Sequence, residues 1–255
     1  MAFIDIHDLE AVSRLRPGQF ALPTLPPPPP VPPPAGAAGE PLLGDTQRLR
    51  KTIKGICTTL RRRGLPHIAD LITAIDDGTL PQQLSDLEAA FLDEMRRYLD
   101  ARDPALLPGV FHKVHLWGGN EGRYIYVKSG GFDQNFCAAA YGRFALGAAS
   151  DHPAREEVLE TAADGIGQFG VSFATKHARF WAQAAAAAPL PIYDKTLAVG
   201  CLGLDNSYWR HYSGFILELN EHAAEAGVSI ATLERHAFNS FSTPAGAAWL
   251  AARKP

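Results

Sequence analysis

The chain has 255 residues, 46% of them hydrophobic and 20% charged, enough for one large or two small packed domains and incompatible with a wholly disordered polymer. Its 24 Lys and Arg stand against 27 Asp and Glu, a net charge of −3, so no global positive field draws it onto nucleic acid or an anionic membrane, and DNA contact requires a local patch. Cys57, Cys137 and Cys201 are far apart and form no C-x-x-C pair, which argues against a zinc knuckle or a disulfide framework and fits a reducing, cytoplasmic compartment. The opening MAFIDIHDLE lacks the basic start and apolar run of a signal peptide, and no stretch has the length of a membrane span. The expectation is an intracellular chain with no membrane partner.

Between Pro17 and Pro41 lie 11 of the 20 prolines, a run with few amide donors that favours an extended polyproline II conformation. Residues 1–43 therefore read as a disordered proline-rich tail, a tether that is also suited to contacting an unidentified protein, and 44–255 as one helical domain. Leu49, Ile53, Ile56 and Leu60 share one helical face after the N-cap candidate Asp45, with Gly64 as the stop. The same stretch carries Arg48, Arg50, Lys51, Lys54, Arg61, Arg62 and Arg63 with no acid among them, which fits either a phosphate-contacting face or a solvated one.

Further helices are predicted at Pro66–Asp76, Leu80–Leu99, Gln134–Ala149, Pro153–Asp164, Phe173–Ala188, Lys195–Leu202, Ser207–Ala226 and Ile230–Ala252. The alternating run RYIYV, residues 123–127, between glycine-rich turns is the one convincing strand signal. The predicted architecture is mainly α, two-lobed, with a short β insertion.

Gly165, Gly167 and Gly170 spell G-x-G-x-x-G, but the preceding REEVLETAADG is helical in composition, so the strand that a dinucleotide site needs is missing. The segment reads better as helix, tight glycine turn, helix, with glycines able to take positive φ and with helix N-terminal amides aimed outward toward a phosphate. An ordinary interhelical turn fits the same residues. Lys176 falls in the first turn of the helix predicted from Phe173, where the dipole disfavours a cation and promotes the neutral amine that nucleophilic catalysis requires, although a solvated lysine fits as well. Asp194, 18 residues on, is placed to cap the next helix by accepting from Thr196 or Leu197, which keeps its carboxylate ionised.

Ser172, Ala174, Thr175, Lys176, Arg179 and Phe180, followed by Pro191-Ile192-Tyr193-Asp194, form a pattern that resembles the helix-hairpin-helix DNA glycosylases, and within them bacterial 8-oxoguanine DNA glycosylase-like proteins. The motif-level resemblance covers roughly residues 150–205, with a looser likeness from about 104 to the C-terminus. It departs from the usual hairpin L-P-G-V-G-x-K: the step from Gly170 to Lys176 is six rather than four, Ser172 replaces the second glycine, and the aspartate loop reads P-I-Y-D rather than P-V-D.

The resemblance implies a DNA glycosylase, with a possible AP lyase step, in which Lys176 attacks the sugar C1′ of a flipped nucleotide and Asp194 assists. Gly170, Ser172, Thr175, His177, Arg179 and Lys195 are the DNA-contact candidates; Trp117, Asn120, Phe132 and Asn135 are candidates for the base pocket, while Phe136 and Tyr141 read as core. No metal and no cofactor is implied. The partner is DNA bearing a damaged or modified base, 8-oxoguanine and modified phage bases among them, bound by a monomer in the bacterial nucleoid. The alternative is a non-catalytic DNA-binding helix-hairpin-helix protein.

Overall fold

The computed structural model describes residues 54–62, 66, 69–70, 73, 84–118 and 136–241. These residues are mainly helical, with no strand among them. The alternating run at 123–127, and with it the expected β insertion, lies outside the described residues, as do the tail and most of the predicted helix at 66–76. The described residues divide into two compact units, one ending at Ala188 and the other beginning at Pro189.

In the first unit, residues 54–62 are helical and bury Ile56 and Leu60, four apart on one face. The principal helices are α1 (Leu84–Ala101), α2 (Leu107–Trp117), α3 (Ala138–Ala148), α4 (Arg155–Asp164) and α5 (Val171–Ala184). Helix α5 is the centre of the bundle, because α1, α2, α3 and α4 all pack on it. Its sequence explains that position: Val171, Ala174, Ala178, Phe180, Trp181 and Ala182 are buried, so most of its circumference is apolar or small and admits neighbours on several sides. Phe180 meets Phe91 of α1 edge-on with centroids 4.7 Å apart, and Trp181 meets Tyr98 at 5.4 Å.

The sequence predicts no helix at 107–117. It forms because Asp103 caps a short 3₁₀ turn, Pro104–Leu106, by accepting from the Ala105 amide, and Pro108 then occupies the start of α2, where its missing N–H costs nothing. Helix α5 stops at Ala184, four residues before the expected end. Pro189 disfavours helical backbone at Ala188, and Ala186 turns left-handed at φ 53°. The end is held in place: Asp151 Oδ1 accepts from the Ala188 amide at 2.7 Å, and the buried Arg155 donates to the Ala188 carbonyl at 2.8 Å.

The second unit contains α6 (Lys195–Leu202), a 3₁₀ turn (Trp209–His211), α7 (Tyr212–Glu225) and α8 (Ile230–Phe241). Helix α8 packs on both α6 and α7. A side chain at Gly200 would run into the Phe241 ring, so the α6–α8 contact requires glycine there. Helix α6 has the predicted bounds, with Gly203 ending it in the left-handed conformation at φ 66°.

Candidate functional site

The connection from α4 to α5 is a helix-turn-helix, but its left-handed residue is Gln168, at φ 60°. None of the three predicted glycines takes positive φ: Gly165 sits at −75° and Gly170 at −67°, and Gly167 is not among the positive-φ residues. The expectation that these glycines take positive φ is thus corrected, although Gly165 and Gly167 do lie within the turn. Gly165 instead permits close packing, since a Cβ there would lie 3.0 Å from that of Ala140. Gly170 is exposed and extended, occupies the N-cap position of α5, and provides no side chain to cap the helix's leading amides.

Because α5 starts at Val171 rather than Phe173, Lys176 lies in its second turn, beyond the strongest part of the helix dipole. The dipole argument for a neutral amine accordingly loses its geometric basis. Lys176 is half-buried, with Nζ 4.6 Å from the centroid of the Phe173 ring, a cation–π contact. Ser172, Lys176 and Arg179, at i, i+4 and i+7, are all half-buried along one face of α5.

Two DNA-contact candidates are corrected. Thr175 is buried, and its hydroxyl donates to the Val171 carbonyl at 2.8 Å, a bond local to its own helix. His177 is buried as well, because it falls on the face of α5 that packs into the bundle. It joins a chain of polar contacts. Trp181 Nε1 donates to Tyr141 Oη at 3.2 Å, Tyr141 Oη is 2.7 Å from His177 Nδ1, and His177 Nε2 is 3.0 Å from His115 Nδ1. Since the indole can only donate, Tyr141 Oη accepts from Trp181, while His115 Nδ1, also 3.1 Å from the Phe111 carbonyl, either donates to that carbonyl or accepts from His177 Nε2 according to its tautomer.

Burial lowers the pKa of His115 to about 3, with the neighbouring His112 and Lys176 pushing the same way against a hydrogen bond from its ring to the Phe111 carbonyl. His177 is lowered well below its ordinary range by burial, then by His115 and Lys176. Tyr141 is raised by the same desolvation. All three groups are neutral at physiological pH. Phe173 stacks on His115 with centroids 4.8 Å apart and 9° between planes, so one ring contacts both the lysine and one imidazole of the pair.

Trp117 is half-buried and meets Phe180 edge-on at 4.8 Å. Asn120, Phe132 and Asn135 lie outside the described residues. Tyr141 is core, as expected, and Phe136 is half-buried against Phe111.

In the second unit Asp194 is the N-cap of α6, its Oδ1 accepting from the Leu197 amide at 3.1 Å. Lys195 beside it is exposed. The boundary at Ala188–Pro189 places Lys176 in one unit and Asp194 in the other. The residues before Asp194 are held firmly. Tyr212 Oη donates to the Pro191 carbonyl at 2.9 Å, the Ile192 amide donates to Glu234 Oε2 at 3.3 Å, and the buried Tyr193 ring lies 4.9 Å from Phe215. Sequence reasoning missed His115, Tyr212 and Glu234; their partners are 62, 21 and 42 residues away, and no local spacing signals such pairs.

Among the described residues no cluster of His, Cys, Asp and Glu is arranged to hold a metal ion, and no helix is long and apolar enough to cross a membrane. Comparison of the chain with protein-family models, with curated proteins and with solved structures finds no match.

Proposed function

We propose that the chain is a DNA glycosylase with a helix-hairpin-helix glycosylase-like fold, using Lys176 as nucleophile and Asp194 as the assisting carboxylate. The observation that carries this reading is the setting of Lys176. It is half-buried on the helix around which its unit is built, one turn beyond an uncapped and exposed N-terminus, and its neighbours His115 and His177 are neutral imidazoles. The leading amides of α5 suit a backbone phosphate, and Ser172 and Arg179 on the lysine's face suit the same strand.

In this scheme a flipped nucleotide presents C1′ to Lys176. The amine forms an N–C1′ bond as the glycosidic C1′–N bond breaks. The departing base takes the bonding electron pair and a proton. The Asp194 carboxylate, at the head of α6, stabilises the positive charge that develops on the sugar. With one amine proton gone to the departing base, the sugar C1′–O4′ bond opens as the remaining amine proton passes to O4′, which leaves as a hydroxyl and gives a Schiff base. Removal of a C2′ proton then expels the 3′-phosphate, which is the lyase step.

The cation–π contact between Lys176 and Phe173 favours a second reading, because it stabilises the ammonium over the free amine. On that reading the chain binds distorted duplex DNA without cutting it. Sodium borohydride trapping on duplexes carrying abasic, damaged or modified bases decides between the two. A covalent protein–DNA band with the wild type, absent for Lys176→Gln, is the expected result; binding without trapping or base release by either protein overturns the glycosylase reading.

A further inference from the structure

The geometry points to Glu234 as a positioning residue for Asp194, an inference that rests on the role given to Asp194 above. Pro191 has no amide proton, so the first amide in the loop after it belongs to Ile192, which is buried and outside any helix. A buried amide there needs an acceptor. Helix α8 supplies it through Glu234, a buried carboxylate whose Oε2 accepts from Ile192. A carboxylate acceptor makes a stronger bond than a neutral one and is rarely buried without such a purpose.

The neighbouring residues are restrained by independent means. Tyr212 holds the Pro191 carbonyl, Tyr193 packs between Phe215 and Tyr212 with centroids 4.9 and 5.9 Å away, and Asp194 caps α6. Each of the four residues from Pro191 to Asp194 is therefore tied to α6, α7 or α8. The Glu234 bond links the loop to α8, and it lies two residues from the carboxylate. Prolines at 189 and 191 stiffen the backbone on its N-terminal side, so a displacement at Ile192 passes on to Asp194. Glu234 touches no reacting atom in this scheme; it sets where the Asp194 carboxylate stands.

The test uses the full chain with a duplex carrying one abasic site. Glu234→Ala is expected to lower the single-turnover borohydride trapping rate roughly 10- to 100-fold, the cost of a catalytic group moved by about 1 Å, without changing the Kd for the same duplex. Glu234→Gln keeps a carbonyl oxygen as acceptor and should restore most of the rate. In parallel, amide hydrogen exchange of peptides spanning 190–198 should lose protection in Glu234→Ala and retain it in Glu234→Gln. If Glu234→Ala fails to fold, Tyr212→Phe removes the adjoining bond to Pro191 and should produce a smaller fall in rate at unchanged Kd. A wild-type rate in Glu234→Ala, or a reduced rate with unchanged exchange protection, overturns the proposal. Absence of trapping by the wild type overturns the covalent role of Lys176 and Glu234's part in that reaction, while the exchange data separately decide whether Glu234 holds the loop.

Discussion

His177 Nε2 lies 3.0 Å from His115 Nδ1 inside the first unit, and both imidazoles are held neutral by burial. Their pKa values are depressed in the folded chain relative to an ordinary histidine, so the unfolded chain binds more protons below about pH 6.5. Stability from these groups is therefore fully present above about pH 6.5 and is lost as pH falls toward their folded values, about 3 for His115. Each imidazole should cost about 1.4 kcal/mol per pH unit in that window. Urea unfolding at pH 7.5 and 5.5 checks this. The wild type should weaken steeply over the interval, and a His115→Phe/His177→Leu variant, whatever its absolute stability, should show a shallower dependence.

Tyr141 joins the imidazole pair to the indole of Trp181 through one buried hydroxyl. Tyr141→Phe preserves the ring contacts with Phe111 and Trp181 but deprives both His177 Nδ1 and Trp181 Nε1 of their partner. Leaving buried polar groups without partners costs about 1–3 kcal/mol each, so a loss of about 2–6 kcal/mol is expected in urea unfolding. A change under about 0.5 kcal/mol would mean that the hydroxyl's contacts contribute little to stability.

Some of this arrangement is legible in the sequence. Helix α6 has the predicted bounds because its start and stop are chemical: Asp194 caps one end and Gly203 turns the other. Helix α2 is not predicted because LPGVFHKVHLW combines an internal glycine, β-branched valines and aromatics, all poor helix formers; its formation depends on burial of Val110, Phe111, Val114 and Leu116. Alanine-rich 184–188 illustrates the opposite error. Its propensity favours continued helix, but Pro189 and the hydrogen bonds of Asp151 and Arg155 to Ala188 end the helix first. The Lys176 and Asp194 motifs are visible as local patterns, whereas the imidazole pair and the Glu234–Ile192 bond arise only when distant segments pack.

Gly200 lies in α6 directly against the ring of Phe241 in α8. Gly200→Ala should gain helix propensity but force the aromatic ring to move, for a net loss of about 1–3 kcal/mol. The cause is identifiable by a double-mutant cycle. Phe241→Leu opens space over residue 200, so Gly200→Ala should cost clearly less in that background than in the wild type. Equal costs in the two backgrounds would show that the alanine is accommodated elsewhere.

Asp194 has a structural role as a cap and, on the proposed reading, a chemical role as a charge, and two substitutions separate them. Asp194→Ala removes the acceptor for the Leu197 amide and should cost about 1 kcal/mol of stability. Asp194→Asn retains a side-chain oxygen, and asparagine caps helices about as well as aspartate, so its stability should stay within about 0.5 kcal/mol of wild type. Both substitutions remove the negative charge that opposes the developing sugar cation, so both should lower base excision by roughly 100-fold or more. The measurements are a urea midpoint and a single-turnover excision rate on a substrate identified by trapping. If Asp194→Asn retains full excision, the carboxylate serves only to start α6, and the charge assigned to it in the reaction must come from another residue.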